Sequence, residues 1–263
     1  MNWNAVVLDL DGVIYRGGTV VPGSADAVRR MREAGRKVRF LTNNATRTSE
    51  GYAEKLRGMG IPTEPAEVLT SGMAAAFHIR KAMDLSRVFV VGSRSLKTEM
   101  TRAGIELVDW DEAEVVVSSL DQEFTYQKLY DAMRAVRKGC PLLSTNRDPV
   151  VPDEKGFVPG AGSITVAIET AADVKAINVG KPSSIILQVA EATWGLEREH
   201  TCIVGDRLDT DMVAGNSFGW RPVLVLSGST KASDLKGDLP PVYLPAVAYR
   251  DLSDFVSAEL GDH

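Results

Sequence analysis

Ala5-Val6-Val7-Leu8-Asp9-Leu10-Asp11-Gly12-Val13-Ile14-Tyr15 is the stretch on which the reading of this chain turns. Its apolar start reads as a buried strand, and the strand stops at two carboxylates and a glycine. Acids at i and i+2 leave an extended segment on the same side. Held that close, they repel unless a cation or a shared proton intervenes. The alternative is an ordinary acidic turn, in which Asp favours the bend and Gly the tight backbone.

A second strand ends the same way. Cys202-Ile203-Val204-Gly205 runs into Asp206-Arg207-Leu208-Asp209-Thr210-Asp211. In parallel α/β sheets ligands bind beyond the carboxyl ends of strands, so neighbouring strands would bring Asp9, Asp11, Asp206 and Asp211 together. An all-oxygen set suits Mg²⁺. Asp209 reads as a cap of the following helix, whereas Asp211 could be cap or ligand.

Two further segments fit a phosphate. Thr42-Asn43-Asn44 follows the apolar strand 37–41 and offers a hydroxyl, amides and backbone N–H groups to an anion, although an Asn-rich turn would look the same. Gly180-Lys181-Pro182-Ser183 puts a lysine before a helix whose first residue reads as Pro182. A cation is misplaced at a helix N-terminus unless anions lie beside it, so Lys181 is either a surface lysine or a charge clamp.

The rest of the chain supplies a frame for these motifs. Strand and helix alternate, which predicts parallel sheets covered by helices. Helices are expected over 24–34, 49–59, 72–83, 126–137, 163–172, 183–194 and 210–218. Strands are expected over 67–70, 87–92, 114–119, 141–144 and 222–226. Between 145 and 162 lies a Pro/Gly-containing loop that reads as a working loop, and Asn146, Arg147 and Asp148 in it are either substrate contacts, to hydroxyls or a carboxylate, or ordinary loop residues.

Composition narrows the classes. With 263 residues, 44% hydrophobic and 25% charged, the chain can bury a sizeable core and is neither disordered nor fibrous. A net charge of −5 argues against nucleic acid or an anionic membrane as partner. Three histidines and two cysteines, Cys140 and Cys202, give no zinc pattern, and two buried thiols in a reducing compartment are expected. No apolar run is long enough to span a membrane, and the chain reads as soluble and cytoplasmic.

Taken together, Asp9-Leu10-Asp11-Gly12-Val13, Leu41-Thr42-Asn43-Asn44, Gly180-Lys181-Pro182-Ser183 and Gly205-Asp206-Arg207-Leu208-Asp209-Thr210-Asp211 resemble the haloacid dehalogenase superfamily, in its motif order. Residues 84–177 resemble the α/β (C2) cap of the subclass holding NagD-type, p-nitrophenyl and phosphoglycolate phosphatases. The segments Leu120–Tyr126, Thr145–Asp148 and Pro159–Ser163 carry that likeness.

The resemblance implies a Rossmann-like parallel-sheet core, 1–83 and 178–263, with an inserted cap at 84–177. It implies a Mg²⁺-dependent phosphomonoesterase working through an aspartyl-phosphate. Asp9 would be nucleophile and metal ligand, and Asp11 the general acid/base with its carbonyl on the metal. Thr42, Asn43 and Asn44 would hold the phosphoryl group and Lys181 would neutralise it. Asp206 would ligate Mg²⁺ with Asp211 in support. The second acid, Asp11, argues against dehalogenation.

Small sugar, glycerol or glycolate phosphates are the expected substrates, with p-nitrophenyl phosphate as an artificial one and a homodimer through the cap as one arrangement. A phosphate sensor with little catalysis, or a phosphotransferase, is the alternative.

Overall fold

The structure is a computed structural model that describes residues 3–153 and 156–261. The chain divides into two compact units, 1–42 with 49–69 and 190–263, and 43–48 with 70–189. The segment 84–177 lies wholly inside the second.

The first unit is built on a six-stranded sheet in the spatial order Val247–Tyr249, Arg221–Val225, Thr201–Gly205, Ala5–Leu8, Lys37–Thr42, Val68–Thr70. The five strands from Val247–Tyr249 to Lys37–Thr42 pair in parallel. Ala5–Leu8 is central and buried along its whole length, as a strand covered on both faces must be. Val6 and Leu8 pack into a core with Ala27, Val28 and Met31 of helix Ser24–Glu33 and with Leu252, Phe255 and Val256 of helix Leu252–Leu260. The first of these helices stops at Gly35, whose φ of +74° suits glycine alone.

Register is what this sheet contributes to chemistry. Ala5 pairs with Thr201 and Leu8 with Val204, so the two strands end level with each other. Asp9 continues the ladder, its N–H donating to the Val204 carbonyl at 2.9 Å. The residues that follow, Asp9 and Asp206, are therefore delivered to the same edge of the sheet.

The second unit holds a five-stranded parallel sheet, ordered Ile177–Asn178, Leu142–Ser144, Val115–Ser118, Arg87–Val91, Glu106–Leu107. Helices Tyr126–Arg137 and Ala161–Ala172 close over it around Val116, Ala132, Ala135, Ile164 and Ile168. Helix Ser71–His78 packs in this unit against helix Arg94–Arg102; a β-carbon at Gly72 would stand 2.9 Å from Leu96 Cδ1.

Several elements differ from the sequence reading. The expected loop 145–162 contains an antiparallel hairpin, Val150–Asp153 with Gly156–Pro159, in which Val151 pairs with Val158 and Phe157 with Pro152. Helix Arg94–Arg102 and the short strands Glu106–Leu107 and Ile177–Asn178 were not anticipated. The helix expected over 210–218 is present but begins two residues earlier, with a π-helical turn, Leu208–Met212, that continues as the α-helix Val213–Phe218. Pro182 follows a cis peptide bond and precedes the first helical residue, Ser184, so it is not the helix's opening residue. Both cysteines are free; Cys202 is buried, but Cys140 is only half-buried. Among the described residues no helix is long and apolar enough to cross a membrane.

Candidate active site

At the carboxyl edge of the first unit's sheet, one carboxylate oxygen each from Asp9, Asp206 and Asp211 lies within 4.8 Å of the others. Asp206 and Asp211 are buried and Asp9 half-buried. Anions this close repel by about 3–4 kcal/mol per pair at an effective dielectric constant of 20. Three acids, two of them out of water, form a hard all-oxygen donor set that fits a small divalent cation such as Mg²⁺.

Glycines let the acids approach. Asp206 is wedged between Gly12, at φ +82°, and Gly228, and a β-carbon at either would collide with Asp206 Oδ2. The Ser229 N–H donates to that oxygen and the Thr230 N–H to the Asp206 carbonyl at 3.1 Å. The Ser227 hydroxyl donates to the Gly12 carbonyl at 2.6 Å, pinning the turn after Asp11 from the same loop. On the other side a β-carbon at Gly205 would collide with the Asp211 carboxyl, whose Oδ2 accepts the Arg207 N–H at 3.2 Å. Asp211 thus braces its own turn while presenting an oxygen to the cluster.

Asp209 does not cap a helix as the sequence suggested. It lies inside the turn, its carboxylate gripped by Arg207 Nε at 3.0 Å and Nη2 at 2.8 Å. Burial pushes the Asp209 carboxyl up, and the Arg207 bonds outweigh burial and leave it below the usual aspartate range.

Asp11 differs in kind from the three clustered acids. Protein atoms crowd its carboxyl although the residue as a whole reaches solvent, and that desolvation raises it above the ordinary aspartate range. The Lys55 charge and the Gly17 backbone pull the other way and are outweighed. Lys55 itself lies 3.3 Å from the Tyr15 ring centroid and donates to the Gly17 carbonyl at 2.9 Å. Two neighbouring carboxyls thus lie in different surroundings, Asp11 desolvated and Asp9 in the acidic cluster.

Thr42 closes its strand and is buried. The remaining predicted residues belong to the second unit. Lys181 is 2% exposed, which removes the surface-lysine alternative. Its backbone N–H donates to Asn43 Oδ1 at 2.7 Å and its carbonyl accepts Asn43 Nδ2 at 2.9 Å. Asn44 is exposed, and its Oδ1 accepts from both the N–H and the hydroxyl of Thr46, so it does form an Asn-type turn.

In the 145–148 loop the polar groups are turned inward. Asn146 Nδ2 donates to the Asn43 carbonyl at 2.8 Å, and its Oδ1 accepts the Asp148 N–H at 3.1 Å. Arg147 forms a two-point pair with Glu169, at 2.6 and 3.0 Å.

The loop Ser227–Thr230 and Lys55 escaped the sequence reading. A Ser/Gly cluster directly after the strand Arg221–Val225 carries the same strand-end signal that singled out the aspartates, and could have been found by it. Lys55 lies mid-helix with no comparable mark.

Two family models match the chain, the haloacid dehalogenase-like hydrolases over residues 6–106 and a HAD-hydrolase-like model over residues 178–255. An acid sugar phosphatase of Staphylococcus epidermidis is 34% identical over 253 residues, covering 96% of each chain. The structure of a p-nitrophenyl phosphatase from Archaeoglobus fulgidus superposes with a TM-score of 0.92 at 33% identity, over 98% of this chain and 100% of that one. A 4-nitrophenylphosphatase from Thermotoga maritima gives 0.90 at 31% identity, over 97% of both chains.

Proposed function

Because this chain belongs to the haloacid dehalogenase-like hydrolases and is a phosphatase, we propose that it is a Mg²⁺-dependent phosphomonoesterase acting on small phosphorylated metabolites of the cytoplasm. Sugar, glycerol and glycolate phosphates are the proposed substrates, with p-nitrophenyl phosphate as an artificial one. The observation that carries the reading is the Asp9, Asp206, Asp211 cluster at the level ends of two adjacent parallel strands. The names of similar proteins, an acid sugar phosphatase and two p-nitrophenyl phosphatases, support the substrate class.

In this reading an Asp9 carboxylate oxygen attacks phosphorus in line, forming an O–P bond as the P–O bond to the leaving alcohol breaks. Asp11 gives its proton to the departing oxygen, and the desolvation that makes its carboxyl harder to ionise suits a group that must be protonated beside an ionised neighbour. Asp11 then takes a proton from water, which attacks the aspartyl-phosphate and frees Asp9 and inorganic phosphate. Thr42, Asn43 and Asn44 are proposed to hold the phosphoryl oxygens and Lys181 to offset their charge. Mg²⁺, held by Asp9, Asp206 and Asp211 together with the Asp11 carbonyl, would supply charge neutralisation for nucleophile and phosphate.

Phosphate release from p-nitrophenyl phosphate and a metabolite panel, with Mg²⁺ and with excess EDTA, tests the proposal. Turnover that persists undiminished in EDTA, or no turnover of any monoester with Mg²⁺ present, overturns it.

A further inference from the structure

Asn43 joins chain segments that are distant in sequence. Its side-chain amide makes the two-point bond to the Lys181 backbone, while its own carbonyl accepts Asn146 Nδ2 at 2.8 Å and the Ser71 hydroxyl. Gly180 fills the space between: a β-carbon there would collide with the Thr145 carbonyl and stand 2.7 Å from Asn43 Oδ1. The segments at 43, 145–146 and 180–181 are thus packed backbone against backbone.

Asn146 is anchored from behind as well. The Ser144 hydroxyl donates to its carbonyl at 2.6 Å and lies 3.0 Å from the Thr165 hydroxyl, which lies 3.0 Å from that of Ser118 and donates to the Ala161 carbonyl. Ser118, Ser144 and Thr165 are fully buried and Asn146 is 6% exposed. A buried polar network with its bonds made is rigid, since any movement leaves a group unpaired in a dry interior. Each end of the Asn146 amide makes a bond within the protein, Nδ2 to the Asn43 carbonyl and Oδ1 from the Asp148 N–H, which fixes the orientation of the side chain.

We propose that Asn146 is a positioning residue for the phosphate-binding groups, setting Asn43 and, through the Asn43 amide, the backbone of Lys181. The kinetic consequence rests on the phosphatase reading; the effect on phosphate affinity does not. Because the phosphoryl group is common to all substrates, a defect at Asn146 falls on each of them alike, whereas a leaving-group contact would discriminate among them.

Asn146→Asp keeps the acceptor for the Asp148 N–H but replaces the donor to the Asn43 carbonyl with an anion; Asn146→Ala removes both. The full-length protein is assayed with p-nitrophenyl phosphate, glycerol phosphate and a hexose phosphate, and inorganic phosphate binding is measured by calorimetry. Expected is a rise in KM of about tenfold, equal within twofold across the substrates, with phosphate affinity weakened by the same factor. Ser144→Ala, which leaves Asn146 in place, gives the same pattern at about two- to threefold should the Asn146 variants fail to fold.

Losses that differ severalfold between substrates, with phosphate affinity intact, make Asn146 a leaving-group contact and overturn the proposal. A lowered melting temperature with KM and phosphate affinity unchanged overturns it too. If wild type hydrolyses no ester, the phosphatase reading fails while calorimetry still decides the role of Asn146.

Discussion

The Asp206 carboxylate is seated directly against Gly228, in a space that a β-carbon at that position would occupy. The relationship follows from the order of the sheet: Thr201–Gly205 and Arg221–Val225 are neighbours, so the loops leaving their carboxyl ends meet. Asp206 has little freedom to retreat, since the Ser229 N–H holds its oxygen and Gly12 closes the opposite side. Gly228→Ala is therefore expected to displace Asp206, lowering turnover by at least about 100-fold and raising the Mg²⁺ concentration needed for half-maximal activity. The far-UV circular dichroism should stay native, because the loop is not an element of the core. Activity of the variant within threefold of wild type would show that the seat is not needed.

The three clustered acids make a prediction about stability without metal. Asp9→Asn removes one of three mutually repelling charges, so in EDTA the variant should melt above wild type. Added Mg²⁺ should reverse the order, because binding to the native state stabilises only a protein that binds it well. Turnover should fall by roughly 10⁴-fold or more, as expected when a nucleophile is lost. Differential scanning fluorimetry with and without Mg²⁺ checks the first two, and phosphate release the third. Equal melting temperatures in EDTA would show that the cluster carries less repulsion than its spacing implies.

Asp11→Asn separates the acid from the nucleophile. An alkoxide leaves poorly without a proton, while p-nitrophenolate leaves readily, so the variant should lose about 100-fold more on glycerol phosphate than on p-nitrophenyl phosphate. The ratio of kcat/KM values for the two substrates reads this directly. The same loss on both would assign Asp11 to another task.

How far the sequence carried depends on whether a feature is local. Asp9, Asp11 and Asp206 were legible because an apolar run that stops at acids is a pattern within a few residues, and the parallel arrangement followed from alternating strands and helices. Burial of Lys181 was not, since its segment is held by partners distant in sequence, among them Asn43, 138 residues away. Helix Arg94–Arg102 was missed because only Leu96 and Met100 mark its apolar face, and its cap, the Ser93 hydroxyl on the Leu96 N–H, resembles any serine turn. The hairpin at 150–159 was concealed by Pro149, Pro152 and Gly156, which read as loop. Arg147 looked available to substrate because its partner, Glu169, lies a helix away.

That last pair gives a prediction in pH. Two bonds from Arg147 hold the buried Glu169 carboxyl below the usual glutamate range against the opposing effect of burial, with the Ala176 N–H and Lys175 assisting. A depressed carboxylate contributes stability above its unfolded value, near 4.3, and loses that contribution as pH falls through its folded value. Arg147→Met leaves Glu169 buried without its main partner, raises its folded value, and should cost about 1–3 kcal/mol at neutral pH. Acid unfolding followed by tryptophan fluorescence should then begin at a higher pH than in wild type. Glu169→Gln in the same background should abolish that shift, because glutamine has no proton to take up. An acid transition unmoved by Arg147→Met would mean that Glu169 is held by its other partners and that Arg147 is free to serve elsewhere.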